Sequence, residues 1–328
     1  MAGPDNLEAL RRGGKAVLAR RLAALEAAPE EEQNLALLDA AWRQGEGVVL
    51  GLTGPPGVGK SSLLSALARA WRRQDRTVGI IAVDPSSRRS GGALLGDRTR
   101  LTLDPEDPGL FVRSLAARGR LGGLADLCGA MMVLMRALYD RLIIETVGVG
   151  QSESEIRDLA DLVLLAVQPA AGDSLQFMKA GIVEIPDLLV VTKADLGEVA
   201  ERTRRELEAA TAFRRDAAVP VLAVSARSGE GVSALCALLE ERIRGLRQEA
   251  GDRRRIQAEA LLETAVREEY GRWGLDRLRQ WRAAAAPLPG VSPFREFRRF
   301  SRSLAEIRPR PPAGTAGGPV TAKGEGET

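Results

Sequence analysis

A glycine-rich segment at residues 54–61 constrains the fold of this chain more than any other part of its sequence. It follows an apolar run at residues 48–52, precedes a helix-forming run at residues 62–68, and satisfies the pattern G-x-x-x-x-G-K-[ST]. Glycines let the main chain curl until successive N–H groups point inward, and the following helix adds its positive end. The segment therefore predicts a phosphate-binding loop between a strand and a helix.

The residues of this loop have distinct predicted roles. Lys60 is expected to reach the β- and γ-phosphates of a nucleotide, and the Ser61 hydroxyl is expected to bind Mg²⁺. A chance glycine-rich turn is the alternative, and the flanking strand and helix weigh against it. The residues predicted to contact the nucleotide here are Gly54, Pro55, Pro56, Gly57, Val58, Gly59, Lys60, Ser61 and Ser62.

Short apolar runs, each ended by Gly, Pro or Asp, recur through the middle of the chain. They lie at residues 48–52, 78–83, 142–144, 162–167, 188–191 and 221–224. Runs of this length, separated by helix-sized segments, are typical of a mostly parallel sheet with helices on both faces. Residues 46–230 are therefore predicted to form an α/β domain of the P-loop NTPase type.

Helical patterns flank this domain on both sides. Residues 1–45 carry Leu and Ala at helical spacing and predict two helices within residues 7–44. Residues 231–306 predict a helical arm, with one long helix from about residue 232 to 286 and a short amphipathic helix after Pro293. Residues 307–328 are rich in Pro, Gly and Thr and predict a disordered tail.

The predicted arm carries apolar positions that need a covering surface: Leu261, Leu262, Val266, Tyr270 and Trp273. A second subunit would provide one and make the protein a homodimer. Folding of the arm back onto its own α/β domain is the alternative.

Composition removes several classes of function. The chain has no histidine, and its two cysteines, Cys128 and Cys236, lie far apart, which argues against a zinc site, a redox dithiol or a secreted disulfide framework. A secretory signal and an apolar run long enough for a membrane span are both missing, so a soluble, cytoplasmic protein is expected. Net charge is only +3, with acidic and basic residues interspersed and 4% aromatics, which argues against a nucleic-acid partner.

Residues 190–195, Val-Val-Thr-Lys-Ala-Asp, end a predicted strand. A carboxylate at Asp195 can accept hydrogen bonds from guanine N1–H and the 2-amino group, whereas adenine offers neither donor, so GTP is favoured over ATP. Lys193 is expected to lay its aliphatic stem over the base. Thr192 stands where Asn is commoner and is expected to weaken the bonding between loops. A helix cap after a strand is the alternative for Lys-x-Asp.

The next predicted strand ends in Ser225, Ala226 and Arg227. These residues resemble the loop whose main-chain amide meets guanine O6 in G proteins.

The apolar run at residues 142–144 leads into Glu145 and Gly148, a hydrophobic-acid-x-x-Gly pattern with Glu where small GTPases have Asp. The longer side chain favours contact with Mg²⁺ through water, and the Gly148 N–H can meet the γ-phosphate.

Three segments carry a family resemblance. Residues 145–153, Glu-Thr-Val-Gly-Val-Gly-Gln-Ser-Glu, resemble the second switch of the MeaB, MMAA and ArgK group of GTPases. Residues 82–100 look like the first switch of that group, and residues 169–181 look like its third, the loop thought to pass the nucleotide state to a mutase. The resemblance runs from about Gly51 to Ala226, and all its blocks occur in order.

The resemblance implies a G domain of the SIMIBI type that uses GTP, GDP and Mg²⁺. By it, Asp84, Asp97 and Glu145 surround Mg²⁺ and the attacking water; together with Lys60 they form the predicted catalytic set, and together with Ser61 the predicted metal set. A loop with Gly91 and Gly92 can bring Asp97 inward when γ-phosphate is present. A strand-end turn for Asp84 and a solvated loop charge for Asp97 are the alternatives.

Two further details bear on turnover and on partner binding. Residues 169–171 read Pro-Ala-Ala where the family commonly has Pro-Gly-Ala, so reduced flexibility of the third switch is expected. Arg88, Arg89 and Arg98 lie in the first switch, but none is marked as an arginine finger. Slow intrinsic turnover that a bound partner accelerates is therefore the hypothesis.

The resemblance also implies a client. It predicts a GTP-hydrolysing chaperone that gates adenosylcobalamin loading and protects methylmalonyl-CoA mutase or a related acyl-CoA mutase, with the adenosyltransferase as a further partner. A metallochaperone GTPase for nickel enzymes is one alternative, although the chain lacks the expected Cys and His ligands. A kinase that phosphorylates a transport protein is another, and Asp195 argues against the ATP that it would need.

Overall fold

The structure is a computed structural model, and it describes residues 6–85, 101–117, 125–146, 152–170, 186–212, 219–246, 250–284, 288 and 290–307. Among these residues, no helix is both long and apolar enough to cross a bilayer.

The described residues form a seven-stranded sheet in which every pairing is parallel. The strands are β1 (Val48–Thr53), β2 (Val78–Pro85), β3 (Leu110–Ala117), β4 (Arg141–Glu145), β5 (Leu162–Val167), β6 (Leu188–Val191) and β7 (Val221–Ala223). Their order in the sheet is β3-β2-β4-β1-β5-β6-β7. From β1 the chain goes to β2 and β3 on one side, returns to β4 between β2 and β1, and then adds β5, β6 and β7 on the other side. Ligands of such sheets bind beyond the carboxyl ends of the strands where the order reverses.

Helices cover both faces of this sheet, as the sequence predicted. They are α1 (Leu7–Ala27), α2 (Glu32–Gln44), α3 (Lys60–Arg72), α4 (Ala125–Arg136), α5 (Ser152–Leu159), α6 (Glu198–Thr211), α7 (Val232–Leu246), α8 (Ala250–Ala284) and α9 (Pro293–Ile307). The face that carries Val49 and Ile144 packs against α1, α2, α4 and α5. The opposite face, with Leu50 and Ile143, packs against α3 and α7.

Burial on both faces explains the continuous apolar runs in the sequence. Strands β1, β4, β5 and β6 are buried along their whole length. Each fully buried Leu, Ile or Val side chain contributes about 1.5–3 kcal/mol to folding. The central strands therefore hold the carboxyl edge of the sheet, with its polar residues, in a fixed place.

One strand, β3, was not predicted. It lies at the edge of the sheet and pairs only with β2. Arg113 and Ser114 interrupt its apolar run, and the Arg113 guanidinium donates to Glu26 of α1 at 2.7 Å. An edge strand covered by a polar contact does not need the continuous apolar run that identified the other strands.

The prediction of one helix from residue 232 to 286 was wrong. The helices here are α7 and α8, with residues 247–249 between them outside the described residues, and α8 is interrupted at Gly271, where φ is 63° and ψ is −154°. A residue with a Cβ rarely adopts this conformation, so the glycine is what permits the change of direction.

The arm folds back onto its own chain. Leu261 packs into the core cluster that contains α4, while Leu262 and Val266 pack with residues of α9. Tyr270 is partly buried in the same α8–α9 cluster, and Trp273 remains 45% exposed. Four of the five apolar positions are therefore covered without a second subunit: Leu261 against the α/β domain, as the alternative predicted, and the other three against α9 of the arm itself. A homodimer stays a prediction.

The two ends of the chain meet through α2 and α9. Asp39 accepts hydrogen bonds at 2.8 Å from both the main-chain N–H and the hydroxyl of Ser292, and it also pairs with Arg295. Arg295 donates further to Glu32 at 2.6 Å. The two predicted N-terminal helices, α1 and α2, are confirmed, and α2 is bound to the C-terminal arm.

A buried polar network anchors α8 to the amino edge of the sheet. Arg136 donates to both carboxylate oxygens of Asp161 at 2.7 and 2.8 Å and to the Gly47 carbonyl at 2.9 Å. Its third nitrogen donates to the Gln257 side chain at 2.6 Å, and Gln257 in turn donates to the Leu159 carbonyl at 2.6 Å. The network thus joins α4, α5 and α8 to each other and to Gly47, the residue before β1.

Candidate nucleotide-binding site

The predicted phosphate-binding loop connects β1 to α3. Gly54 has φ of 141°, and a Cβ at this position would lie 2.4 Å from the Ala166 carbonyl oxygen, so only glycine fits. Gly59 caps the start of α3 with φ of 101° in the left-handed region. Val58 between them is buried in the core and anchors the loop, while Pro56 is exposed.

Lys60 lies folded over the loop that precedes it. Its ammonium group donates to the Gly54 carbonyl at 2.6 Å and to the Pro55 carbonyl at 3.1 Å, and the residue is 8% exposed. Main-chain carbonyls thus hold the cation beside the loop glycines. A phosphate oxygen can take the place of either carbonyl as the acceptor.

The phosphate loop meets the end of β4 through one side-chain contact. The Ser61 hydroxyl donates to the Glu145 carboxylate at 2.9 Å, and Glu145 is 8% exposed. Strand register places Leu52 beside Glu145, and the buried Thr146 hydroxyl donates to Thr53 at 2.9 Å. A hydroxyl and a carboxylate on adjacent elements are hard oxygen ligands of the kind that Mg²⁺ prefers, so these residues fit the predicted ion.

The other predicted acidic residues are placed only in part. Asp84 lies near the end of β2, two residues beyond Ala82, which is paired with Glu145. The side chain of Asp84 and the whole of Asp97 and Gly148 lie outside the described residues. So do Arg88, Arg89, Arg98 and most of the three predicted switch segments. Within the described part of the chain, no three acidic or cysteine side chains cluster as a metal site would require.

The predicted base-reading residues come together from two adjacent strand ends. The Ser225 hydroxyl donates to the Asp195 carboxylate at 2.6 Å and accepts from the Ser228 N–H at 3.1 Å. The Ser225 hydrogen bond lowers the pKa of Asp195 below its usual value. Asp195 itself is exposed, so its carboxylate is both ionised at neutral pH and accessible to a base.

Thr192 connects the two halves of the site. Its hydroxyl contacts the Val58 carbonyl at 2.7 Å and the Val167 carbonyl at 3.2 Å, and the residue is 4% exposed. Thr192 therefore bonds the phosphate loop to the base-reading segment. The expectation that it does so more weakly than Asn would stays a prediction.

Lys193 has a left-handed main chain, with φ of 56°, and an exposed side chain. Its ammonium group contacts the Gly57 carbonyl at 3.4 Å and the Gln168 side-chain carbonyl at 3.1 Å. Gln168 was not predicted, because it belongs to none of the recognised motifs.

The remaining predicted contacts surround these groups. Ala226 is half-buried behind Ser225, while Arg227 and Ser62 are exposed. Arg227 lies near enough to Asp195 to favour its ionised form. The predicted phosphate contacts, called the phosphate side below, thus lie at the ends of β1 and β4, and the predicted base contacts, called the base side, lie at the ends of β6 and β7.

Comparison with known proteins agrees with this arrangement. A family model described as methylmalonyl Co-A mutase-associated GTPase MeaB matches residues 18–272. A putative GTPase of Pyrococcus horikoshii is 37% identical over 270 residues, which cover 79% of this chain and 84% of that protein. A solved structure described as an LAO/AO transport system kinase superposes with a TM-score of 0.62 at 25% identity, covering 91% of this chain and 96% of that one.

A mitochondrial relative from Mus musculus, named methylmalonic aciduria type A homolog, is 40% identical over 199 residues. These residues cover 58% of this chain and 48% of the mouse protein, so the chain matches about half the length of that relative. The family match includes the phosphate loop, Glu145 and both base-reading loops. The chain belongs to the MeaB family of methylmalonyl-CoA mutase-associated GTPases.

Proposed function

We propose that the protein binds GTP at the carboxyl edge of its sheet and hydrolyses it to GDP and phosphate. In this proposal it gates adenosylcobalamin loading onto methylmalonyl-CoA mutase or a related acyl-CoA mutase and protects that enzyme. The observation that supports it best is the placement of two side-chain pairs in one family-matched site. Ser61 meets Glu145 on the phosphate side, and Ser225 meets Asp195 on the base side.

The phosphate side would work by exchange of hydrogen-bond acceptors. Lys60 would release the Gly54 and Pro55 carbonyls and donate to the β- and γ-phosphates, while loop N–H groups surround the β-phosphate. Because the loop is fixed by Val58 in the core, these donors would keep their positions when the acceptor changes.

Ser61 and Glu145 would hold Mg²⁺, with Asp84 and Asp97 as the other proposed acidic partners. When bound, Mg²⁺ neutralises the negative charge of the phosphates. The present Ser61–Glu145 hydrogen bond keeps both oxygens on the same side of the loop, so that they are in place before the ion arrives. Glu145 would also orient the attacking water, directly or together with Asp97.

The base side would select guanine. Asp195 would accept from N1–H and the 2-amino group, while Ser225 keeps the carboxylate oriented. Adenine would leave the carboxylate without a donor, at a cost of a few kcal/mol.

A binding measurement tests the nucleotide assignment. Titration calorimetry of the full chain should give affinities for GTP and GDP on the order of 100-fold or more above that for ATP. Asp195→Asn offers an amide donor in place of one acceptor, so it should lose GTP and gain affinity for xanthosine triphosphate, which has a carbonyl at C2. Equal affinity of the wild type for ATP and GTP would overturn the assignment.

The client is tested separately. The purified protein should form a complex with an adenosylcobalamin-dependent acyl-CoA mutase that depends on whether GTP or GDP is bound, and the complex should turn over GTP faster than the protein alone. The proposal includes action in the cytoplasm as a homodimer, with the adenosyltransferase as a third component. Lack of any nucleotide-dependent complex would overturn the chaperone role and leave the GTPase assignment intact.

Two alternatives meet specific obstacles. A kinase role, suggested by the name of the similar transport-system structure, needs ATP and fails if the protein selects GTP. A metallochaperone role needs Cys or His ligands, and both cysteines are buried. Burial raises the pKa of Cys128 to about 12 and that of Cys236 to about 11, which disfavours the thiolate form that binds metal ions.

A further inference from the structure

Gln168, the first residue after β5, contacts the base-reading segment from outside the recognised motifs. Its side-chain carbonyl accepts a hydrogen bond from the Lys193 ammonium group at 3.1 Å. The same ammonium group lies 3.4 Å from the Gly57 carbonyl of the phosphate loop. Lys193 is therefore held between the loop on one side and Gln168 on the other, and Gln168 is the nearer acceptor.

The main chain on both sides of Gln168 is held by hydrogen bonds to neighbouring elements. The Val167 carbonyl accepts from the Thr192 N–H at 2.8 Å. The Ala170 N–H donates to the Thr203 hydroxyl at 3.4 Å, and Thr203 lies in α6. Because residues 167 and 170 are both bonded, the side chain of Gln168 starts from a defined position, and its reach to Lys193 does not depend on a loose loop.

A long lysine side chain gains from such a contact. Ordering a lysine side chain costs rotamer freedom, and a bound base would require this ordering if its face is to lie along the aliphatic stem. Because Gln168 already holds the Lys193 ammonium group, part of this rotamer freedom is lost before the nucleotide binds.

We propose that Gln168 is a positioning residue for guanine recognition, which acts by holding Lys193 in the orientation that covers the base. The inference rests on the proposed function, because it assumes that a guanine nucleotide occupies this site. Gln168 does not touch the nucleotide in this proposal. Its effect is confined to the base side, and the contacts of the phosphate side do not depend on it.

The test uses the full-length protein with GDP and, separately, inorganic tripolyphosphate as probes. Gln168→Leu keeps the approximate size of the side chain and removes the acceptor. It should weaken GDP binding about threefold to fivefold and speed GDP release by a similar factor, since an exposed hydrogen bond to a charged group is worth about 1 kcal/mol. Affinity for tripolyphosphate should stay within about twofold of the wild-type value, and Gln168→Glu should restore GDP binding.

A second background makes the test specific. Lys193→Met keeps most of the aliphatic stem and removes the ammonium group, so Gln168→Leu should have no further effect on GDP binding when it is added to Lys193→Met. An equal loss in both backgrounds would show that Gln168 acts through the fold and would overturn the proposal. So would unchanged GDP affinity in Gln168→Leu. A wild-type protein that does not bind GDP would overturn the proposed function as well.

Discussion

The two edges of the sheet carry polar groups that are satisfied in different ways. At the carboxyl edge, Lys60 donates to loop carbonyls, and the exposed Asp195 carboxylate accepts from Ser225. At the amino edge, Arg136 and Asp161 bond each other within the protein and are only 4% and 9% exposed. A loop carbonyl can be exchanged for a ligand oxygen, whereas the buried pair has no such substitute.

This difference follows from what each edge is bonded to. Arg136 uses its guanidinium nitrogens on Asp161, Gly47 and Gln257, and burial lowers its pKa even though Asp161 raises it. The network holds α8 against α4 and α5. The carboxyl edge is thus suited to exchange its hydrogen-bond partners, and the amino edge is suited to keep them. Substitutions at either edge can test this difference.

The largest effect is expected at the amino edge. Asp161→Asn should lower the free energy of unfolding by about 3–5 kcal/mol, because it leaves the buried Arg136 guanidinium without its counter-charge. Urea unfolding measures this. Asp276→Asn is the matched control: it breaks an exposed pair with Arg279, and its cost should stay below about 1 kcal/mol. Equal costs for the two variants would contradict the comparison.

At the carboxyl edge, the expected loss is one of binding. Lys60→Ala should weaken GTP affinity on the order of 100-fold, since it removes the cation that pairs with the β- and γ-phosphates. Calorimetry measures the affinity and thermal unfolding measures stability, which should change little because the freed carbonyls of Gly54 and Pro55 can meet water. Lys15→Ala removes an exposed lysine that donates to the Pro105 carbonyl and should leave GTP affinity unchanged. A large loss of stability in Lys60→Ala would contradict the comparison, because it would show that Lys60, like Arg136 and Asp161, is needed to hold the fold together.

Ser225→Ala tests whether the hydrogen bond from Ser225 keeps the Asp195 carboxylate ionised and oriented. Because the Ser225 hydrogen bond lowers the pKa of Asp195, its loss should raise that pKa. Guanine binding needs the ionised form, so affinity should begin to fall at a higher pH in the variant than in the wild type as the solution is acidified. At neutral pH the loss should be about tenfold or less, from poorer orientation of the carboxylate.

The measurement is GDP affinity as a function of pH, from neutral to about pH 4. Ser228→Ala is the control, because its hydroxyl accepts from the Glu230 N–H and does not contact Asp195. Superimposable pH curves for Ser225→Ala and the wild type would show that the hydrogen bond does not set the ionisation of Asp195.

The same comparison explains which features could be predicted from the sequence. The phosphate loop and the base-reading loop are local patterns, and the ends of parallel strands bring such patterns to one edge. Asp195 and Ser225 are 30 positions apart, yet they meet because β6 and β7 are neighbours. The roles of Asp97 and Gly148 stay predictions, since both lie outside the described residues.

Contacts between distant residues without a local pattern were not predicted. Arg136 and Gln257 are 121 positions apart, and a helical arginine or glutamine is normally a solvated residue. Only the packing of α8 against α4 and α5 makes them partners. Strand β3 was missed for a related reason. Its polar residue Arg113 fits the strand because it pairs with Glu26 of α1, and the local sequence does not show this contact.

The smallest effect is expected at Ala170, where the carboxyl edge contains a strained residue. Its φ is 59°, in the region that an L-residue enters at a cost of about 1–2 kcal/mol and that glycine adopts freely. Ala170 is exposed, so its methyl group has little packing to lose. Ala170→Gly should therefore raise the free energy of unfolding by about 0.5–1 kcal/mol, after subtraction of the extra freedom that glycine gives the unfolded chain.

Ala209→Gly, the control, should lower the free energy of unfolding, whereas Ala170→Gly should raise it. Ala209 is also exposed but lies within α6, where glycine costs about 0.5–1 kcal/mol. Urea unfolding of the two variants therefore separates relief of strain from a general effect of glycine. If both variants were less stable than the wild type, Ala170 would not be strained, and the reduced flexibility expected from Pro-Ala-Ala would have to come from a residue other than Ala170. If the signs differ, the carboxyl edge stores strain next to the nucleotide site, at the point where the predicted third switch begins.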